Sequence, residues 1–166
     1  MNYLMMYTPL GNMLLASESQ AGDPAPALYG VWFEDQKHRP DSSDWQESNH
    51  HPLLIQAKLQ LEEYFAGKRQ SFDLPLAKRG TAFQQKVWAS LQRIPFNQTR
   101  NYRQLAEMLE QPSAVRAVAN ANGRNPFTLI VPCHRVIGSD GSLTGYAGGL
   151  DRKAWLLKHE GLHAEP

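Results

Sequence analysis

Cys133 and His134 stand side by side in Val131-Pro132-Cys133-His134-Arg135, and Cys133 is the single cysteine of the chain. One cysteine rules out an intramolecular disulfide and a cysteine-rich zinc site. An isolated thiol is by default a small apolar core residue. A nearby base changes that, because the thiolate is the nucleophile and an ordinary thiol, with a pKa of about 8.5, is mostly protonated at neutral pH. The apolar run Phe127–Val131 predicts a buried extended segment that carries Cys133 to the edge of the core. Neighbouring side chains on an extended chain point to opposite sides. Direct contact between Cys133 and His134 is therefore not guaranteed, and one water could bridge them, a geometry open to a general base. Glu160 closes a helix predicted from about Asp151 to His159, where the helix dipole disfavours a carboxylate. Its position hints at a partner such as a histidine. Thr144–Gly149 is a glycine-rich loop around Tyr146. Its backbone can approach a flat ligand on which the tyrosine stacks; the plain alternative is a loop whose tyrosine caps the core. No Gly-Lys-Ser/Thr follows, which argues against a phosphate loop.

These residues need elements to position them. Tyr3–Thr8, Met13–Ser17 and Leu28–Phe33 read as short strands, with a turn at Pro9–Asn12 and a loop over Ser19–Pro26. Glu34–His51 reads as a surface connection. Pro52 opens a helix that carries Leu54, Ala57, Leu61, Tyr64 and Phe65 on one face and stops at Gly67. His38, His50 and His51 have no cysteine to complete a zinc site and read as surface or helix-entry residues. Leu76–Gly80 marks a boundary between residues 1–79 and 80–166. Beyond it Thr81 and Gln84 form a capping box for a helix carrying Phe83, Val87, Trp88, Leu91 and Ile94. Asn101 and Gln104 offer a second cap, for a helix with Leu105, Met108 and Leu109. Ser113 is a predicted N-cap for a third helix, Ala114–Ala121, rich in small residues. In the last helix Asp151 can act as the cap, and Trp155 and Leu156 are expected to be buried.

Two helices joined by a tight break, the second carrying Arg116, make a helix-turn-helix pattern. Small side chains would let that helix lie close to DNA, and they serve helix–helix packing equally well. The net charge of +1 hides an asymmetry: residues 1–79 hold 7 Lys/Arg against 10 Asp/Glu, and residues 80–166 hold 10 against 6. Gln111–Ser139 contains Arg116, Arg124 and Arg135 and no acid, a stretch that could meet a polyanion. No apolar run is long enough to span a membrane, and the N-terminus lacks the basic start of a signal peptide. A lone thiol suits a reducing, cytoplasmic setting.

Several blocks occur in order: Thr8-Pro9-Leu10-Gly11, Glu63-Tyr64-Phe65-Ala66-Gly67, the run Ile130–Gly138 around Cys133, Thr144–Gly149 and Trp155–Gly161. In these, and in almost everything from Gly80 to Gly161, the chain resembles the O6-alkylguanine-DNA alkyltransferases of the bacterial stand-alone type. The resemblance implies an α+β fold, with a small N-terminal α/β domain and a mainly helical C-terminal domain bearing a winged-helix-like helix-turn-helix. It implies direct-reversal repair, with the alkyl group of O6-alkylguanine, and of O4-alkylthymine as a further candidate, passing irreversibly to Cys133 after nucleotide flipping. His134 would activate Cys133 through a water and Glu160 would hold the tautomer. Asn125 would brace the active-site turn, and Tyr102 would assist flipping and protonate the leaving guanine. Arg116 would fill the vacated stack, with Ala114, Val115, Ala117, Ala119 and Arg124 along the DNA face. Pro132, Tyr146, Ala147 and Gly148 would shape the guanine pocket. Val115 stands where the family usually has alanine and Ala119 where glycine is frequent, so both add bulk to that face. No cofactor and no metal are implied, and the partner would be double-stranded DNA bound by a monomer. Two rivals share the residues: a damage-binding protein that transfers nothing, and a Cys-His-Glu hydrolase.

Overall fold

The computed structural model describes residues 1–20 and 22–162, so the loop expected over Ser19–Pro26 is described apart from Ala21. The chain forms two compact units, Met1–Arg79 with Pro126–Ile130, and Gly80–Asn125 with the chain from Val131 onward.

In the first unit β1 (Asn2–Thr8), β2 (Gly11–Ser17), β3 (Leu28–Phe33) and the two-residue β4 (Gln46–Glu47) form one sheet in the order β3-β2-β1-β4. The β1–β2 and β2–β3 pairs are antiparallel, and β4 pairs with β1 in parallel. Sequence reading missed β4, which is short and wholly exposed and so has no apolar signature. Helix α1 (Pro52–Phe65) begins at its proline and buries Leu54, Ala57, Leu61 and Tyr64. It ends where Gly67, at φ +76°, lets its own N–H reach the Tyr64 carbonyl at 3.0 Å and that of Lys68 reach Glu63 at 2.8 Å. This is the left-handed stop that glycine permits at no steric cost.

The segment expected to be extended over Phe127–Val131 is so only at its start. Val31 donates to the Pro126 carbonyl at 2.8 Å and accepts from the Thr128 N–H at 3.0 Å, which lays Phe127 beside β3. The chain then turns at Leu129, whose φ is +72°. Pairing with a strand almost a hundred residues earlier sets this shape, and local periodicity cannot report it.

In the second unit α2 (Ala82–Leu91) and α3 (Tyr102–Met108) both start on complete capping boxes, Thr81 with Gln84 and Asn101 with Gln104. Helix α4 spans Val115–Gly123, and its N-cap is Ala114, with no side-chain hydrogen bond. The predicted Ser113 cap is displaced, because residues 112 and 113 are taken up in the turn after Gln111. Trp88 ties α2 to α4 through Nε1 and the Ala121 carbonyl at 2.9 Å. The short strands β5 (Arg100–Asn101) and β6 (Val136–Ile137) pair in parallel. Helix α5 spans Leu150–His159 from an N-cap at Gly149. Asp151 therefore lies in its first turn instead of capping it, where a carboxylate complements the dipole. Leu156 and Leu157 are buried, while Trp155 is only half-buried and stacks on His159 at 4.8 Å. No described helix is long and apolar enough to cross a membrane.

Candidate active site

Cys133–Arg135 is a turn of 3-10 helix. The extended geometry expected at Cys133 and His134 is thus replaced by one that sets successive side chains about 120° apart. Both are buried, Cys133 at 6% exposure and His134 at 0%. The imidazole Nε2 lies 2.7 Å from Oε2 of Glu160. Arg135 clamps the same carboxylate, donating from Nε to Oε1 at 2.8 Å and from Nη2 to Oε2 at 3.1 Å, while its Nη1 reaches the Ile94 carbonyl at 2.7 Å.

This arrangement fixes protonation. Burial alone would raise the Glu160 carboxyl, but hydrogen bonds and charge from His134 and Arg135 outweigh it and hold the group far below the usual carboxylate range. A carboxylate only accepts, so Nε2 carries the ring proton and the Nδ1 lone pair is left free. Nδ1 is buried and has no hydrogen-bond partner among the described residues. Burial pushes the imidazole below its ordinary pKa against the pull of Glu160, so at neutral pH it is a neutral ring ready to take a proton. Burial likewise pushes the Cys133 thiol up, with the Asn125 amide and the Lys153 charge opposing.

The surroundings of the thiol come from both sides of the chain's excursion through Pro126–Ile130. Asn125 Nδ2 donates to the Val131 carbonyl at 2.8 Å and so joins the points of departure and return. The loop Thr144–Gly149 is tied down by Tyr102, whose hydroxyl donates to the Thr144 carbonyl at 3.1 Å. Lys153, fully buried on α5, donates from Nζ to Thr144 at 2.9 Å and to Gly145 at 3.2 Å. Burial lowers this lysine to about 8, with Cys133 acting in the opposite sense. Pro132 and Gly148 are buried, and Tyr146 and Ala147 are half-buried.

Helix α4 turns Val118, Ala121 and Asn122 inward. It leaves Arg116, Ala117 and, just past its end, Arg124 exposed, with Ala114, Val115 and Ala119 half-buried. Arg135 does not join Arg116 and Arg124 as a surface cation, as the acid-free run suggested, because Glu160 holds it inside. Among the described residues no cluster of three or more His, Cys, Asp or Glu is placed to hold a metal ion. Three residues went unnoticed as part of the site. Arg135 had a signal in its place beside His134; Lys153 and Asn122 had none, because both bond backbone carbonyls.

Residues 1–78 match the family model described as the ribonuclease-like domain of 6-O-methylguanine DNA methyltransferase, and residues 82–162 match the DNA binding domain of the same family. A methylated-DNA–protein-cysteine methyltransferase of Methanosarcina acetivorans is 45% identical over 161 residues, covering 97% of this chain and 99% of its own. The constitutive enzyme of that name from Bacillus subtilis is 45% identical over 159 residues, 95% and 94% of the two chains. The structure of Mycobacterium tuberculosis OGT in complex with DNA superposes with a TM-score of 0.88 at 40% identity, covering 97% of this chain and 93% of that one.

Proposed function

The chain belongs to the 6-O-methylguanine DNA methyltransferase family, and from that premise we propose that Cys133 is the acceptor in a single-use transfer that repairs alkylated DNA. The activity is that of a methylated-DNA–protein-cysteine methyltransferase, and the partner is duplex DNA carrying O6-alkylguanine. The observation that carries the assignment of Cys133 is its place beside an imidazole locked through Nε2 on a clamped carboxylate, with Nδ1 left over as a base.

The O6 atom of guanine lies inside a stacked, paired base, so the nucleotide must be extruded before it can react. Arg116, exposed on α4, stacks in the vacated space. Ala114, Val115, Ala117 and Ala119 let the helix approach the groove, and Arg124 meets the backbone. The flipped guanine is held by Pro132, Tyr146, Ala147 and Gly148. A water passes the thiol proton to His134 Nδ1, and Glu160 stabilises the imidazolium. The sulfur attacks the alkyl carbon, a C–S bond forms, and the C–O6 bond breaks with its electron pair moving onto guanine. Tyr102 supplies a proton to the departing base. Asn125 supports the thiolate through its amide. The thiol hydrogen is in effect exchanged for the alkyl group, so the balance needs no co-reactant. The thioether has no leaving group that His134 could expel, and the protein acts once. It works as a monomer in the cytoplasm.

Replacing Cys133 with alanine tests this. C133A is expected to bind an O6-methylguanine duplex as wild type does and to remove no methyl group. Demethylation by that variant would overturn the assignment.

A further inference from the structure

Asn122 faces inward on α4 at 3% exposure. Its Nδ2 donates to the Cys133 carbonyl at 3.4 Å, a long bond for a buried amide. Its Oδ1 is buried and has no hydrogen-bond partner among the described residues. An acceptor left in this state bears its desolvation cost without return, and an apolar side chain of similar shape would avoid it. Stability therefore does not explain an asparagine here. Burial pushes the Tyr102 phenol above its ordinary pKa, and hydrogen bonding from the Asn122 side chain is among the influences that oppose it. The Tyr102 proton itself is directed at the Thr144 carbonyl. The phenol oxygen thus lies between a carbonyl that takes its hydrogen and an amide that supplies one.

We propose that Asn122 is a positioning residue for departure of the leaving group: anchored on the Cys133 carbonyl, its carboxamide orients the Tyr102 hydroxyl and stabilises the oxygen once the proton has gone. When the C–O6 bond breaks, the electron pair goes to guanine and the Tyr102 proton moves to the purine. The phenolate then accepts an Asn122 N–H until solvent returns a proton. The inference rests on the reading of Tyr102 as proton donor.

Two reagents separate this role from a structural one. Free O6-benzylguanine leaves as a base that needs a proton; methyl iodide alkylates the same sulfur and releases an iodide that needs none. Asn122→Leu is expected to slow the first reaction about tenfold more than the second, as loss of a hydrogen bond to a charged group does. Adding it to Tyr102→Phe should produce no further loss, the signature of two residues acting as a unit. Asn122→Ser gives a second variant should leucine prevent folding. Normal benzylguanine kinetics in the Asn122 variants beside a slow Tyr102→Phe would overturn the inference alone, as would equal slowing with both reagents. Unimpaired Tyr102→Phe would overturn the proton-donor reading and the inference with it.

Discussion

Glu160 is the residue whose environment explains most about the site. Its two oxygens take three donated hydrogens, from His134 and from two nitrogens of Arg135. The cost of burying its charge is met by partners that are themselves buried. Removing one member of such a group leaves the others uncompensated, typically at about 3–5 kcal/mol. Glu160→Gln is expected to lower stability at pH 7 by about that much, and to slow alkylation of Cys133 by freeing the imidazole to adopt the wrong tautomer. The pH dependence follows from direction. The folded carboxyl titrates below its unfolded counterpart, so its contribution is complete above about 4.3 and is lost on further acidification. His134 is also depressed. The unfolded chain takes up that proton first, and stability already declines as pH falls below about 6.5. Urea unfolding at pH 7 and pH 3 should show the gap between Glu160→Gln and wild type narrowing in acid. A gap of constant size would contradict the carboxylate's role. Lys153 carries a different lesson. A lysine within a helix reads as solvated, yet this one is fully buried on two backbone carbonyls, and carbonyls leave no mark in a sequence.

Among the elements, local chemistry was the most legible. Both capping boxes were readable because each joins residues three apart, and the stop at Gly67 because only glycine adopts that φ cheaply. The start of α4 lies one residue later than expected and the cap of α5 two residues earlier, at Gly149 in place of Asp151, since turn geometry decided both. The turn at Leu129 was not legible, because β3 imposes it. Helix α4 carries the proposed DNA face. It divides an inner face of Val118, Ala121 and Asn122 from an outer one bearing Arg116. If that outer face meets the duplex, Arg116→Ala should slow repair of an O6-methylguanine duplex at least tenfold, in line with the few kcal/mol that base extrusion costs. Reaction with free O6-benzylguanine, which has no stack to leave, should stay within about twofold of wild type. Rate constants for both substrates check this, and equal losses would remove Arg116 from the extrusion step.

At the scale of the whole molecule, the positive balance of residues 80–166 suits a partner whose backbone is uniformly charged, and binding should weaken with salt as phosphate contacts are screened. The resemblance, read over nearly the whole chain, is matched by relatives that cover 97% and 95% of it. The site was legible as far as residue types carry it: thiol, base, carboxylate, tyrosine. The clamp of Arg135 and the carbonyl anchors of Lys153 and Asn122 needed coordinates. In the proposed reaction the single thiol, Cys133, is spent in the act. The most direct test is to titrate the protein with an O6-methylguanine duplex and weigh the intact protein and its peptides by mass spectrometry. One methyl group on Cys133 per protein, with repair ceasing at one equivalent of lesion, is the predicted result. Unmodified protein beside tightly bound lesion, or repair continuing well beyond one equivalent, would contradict the account.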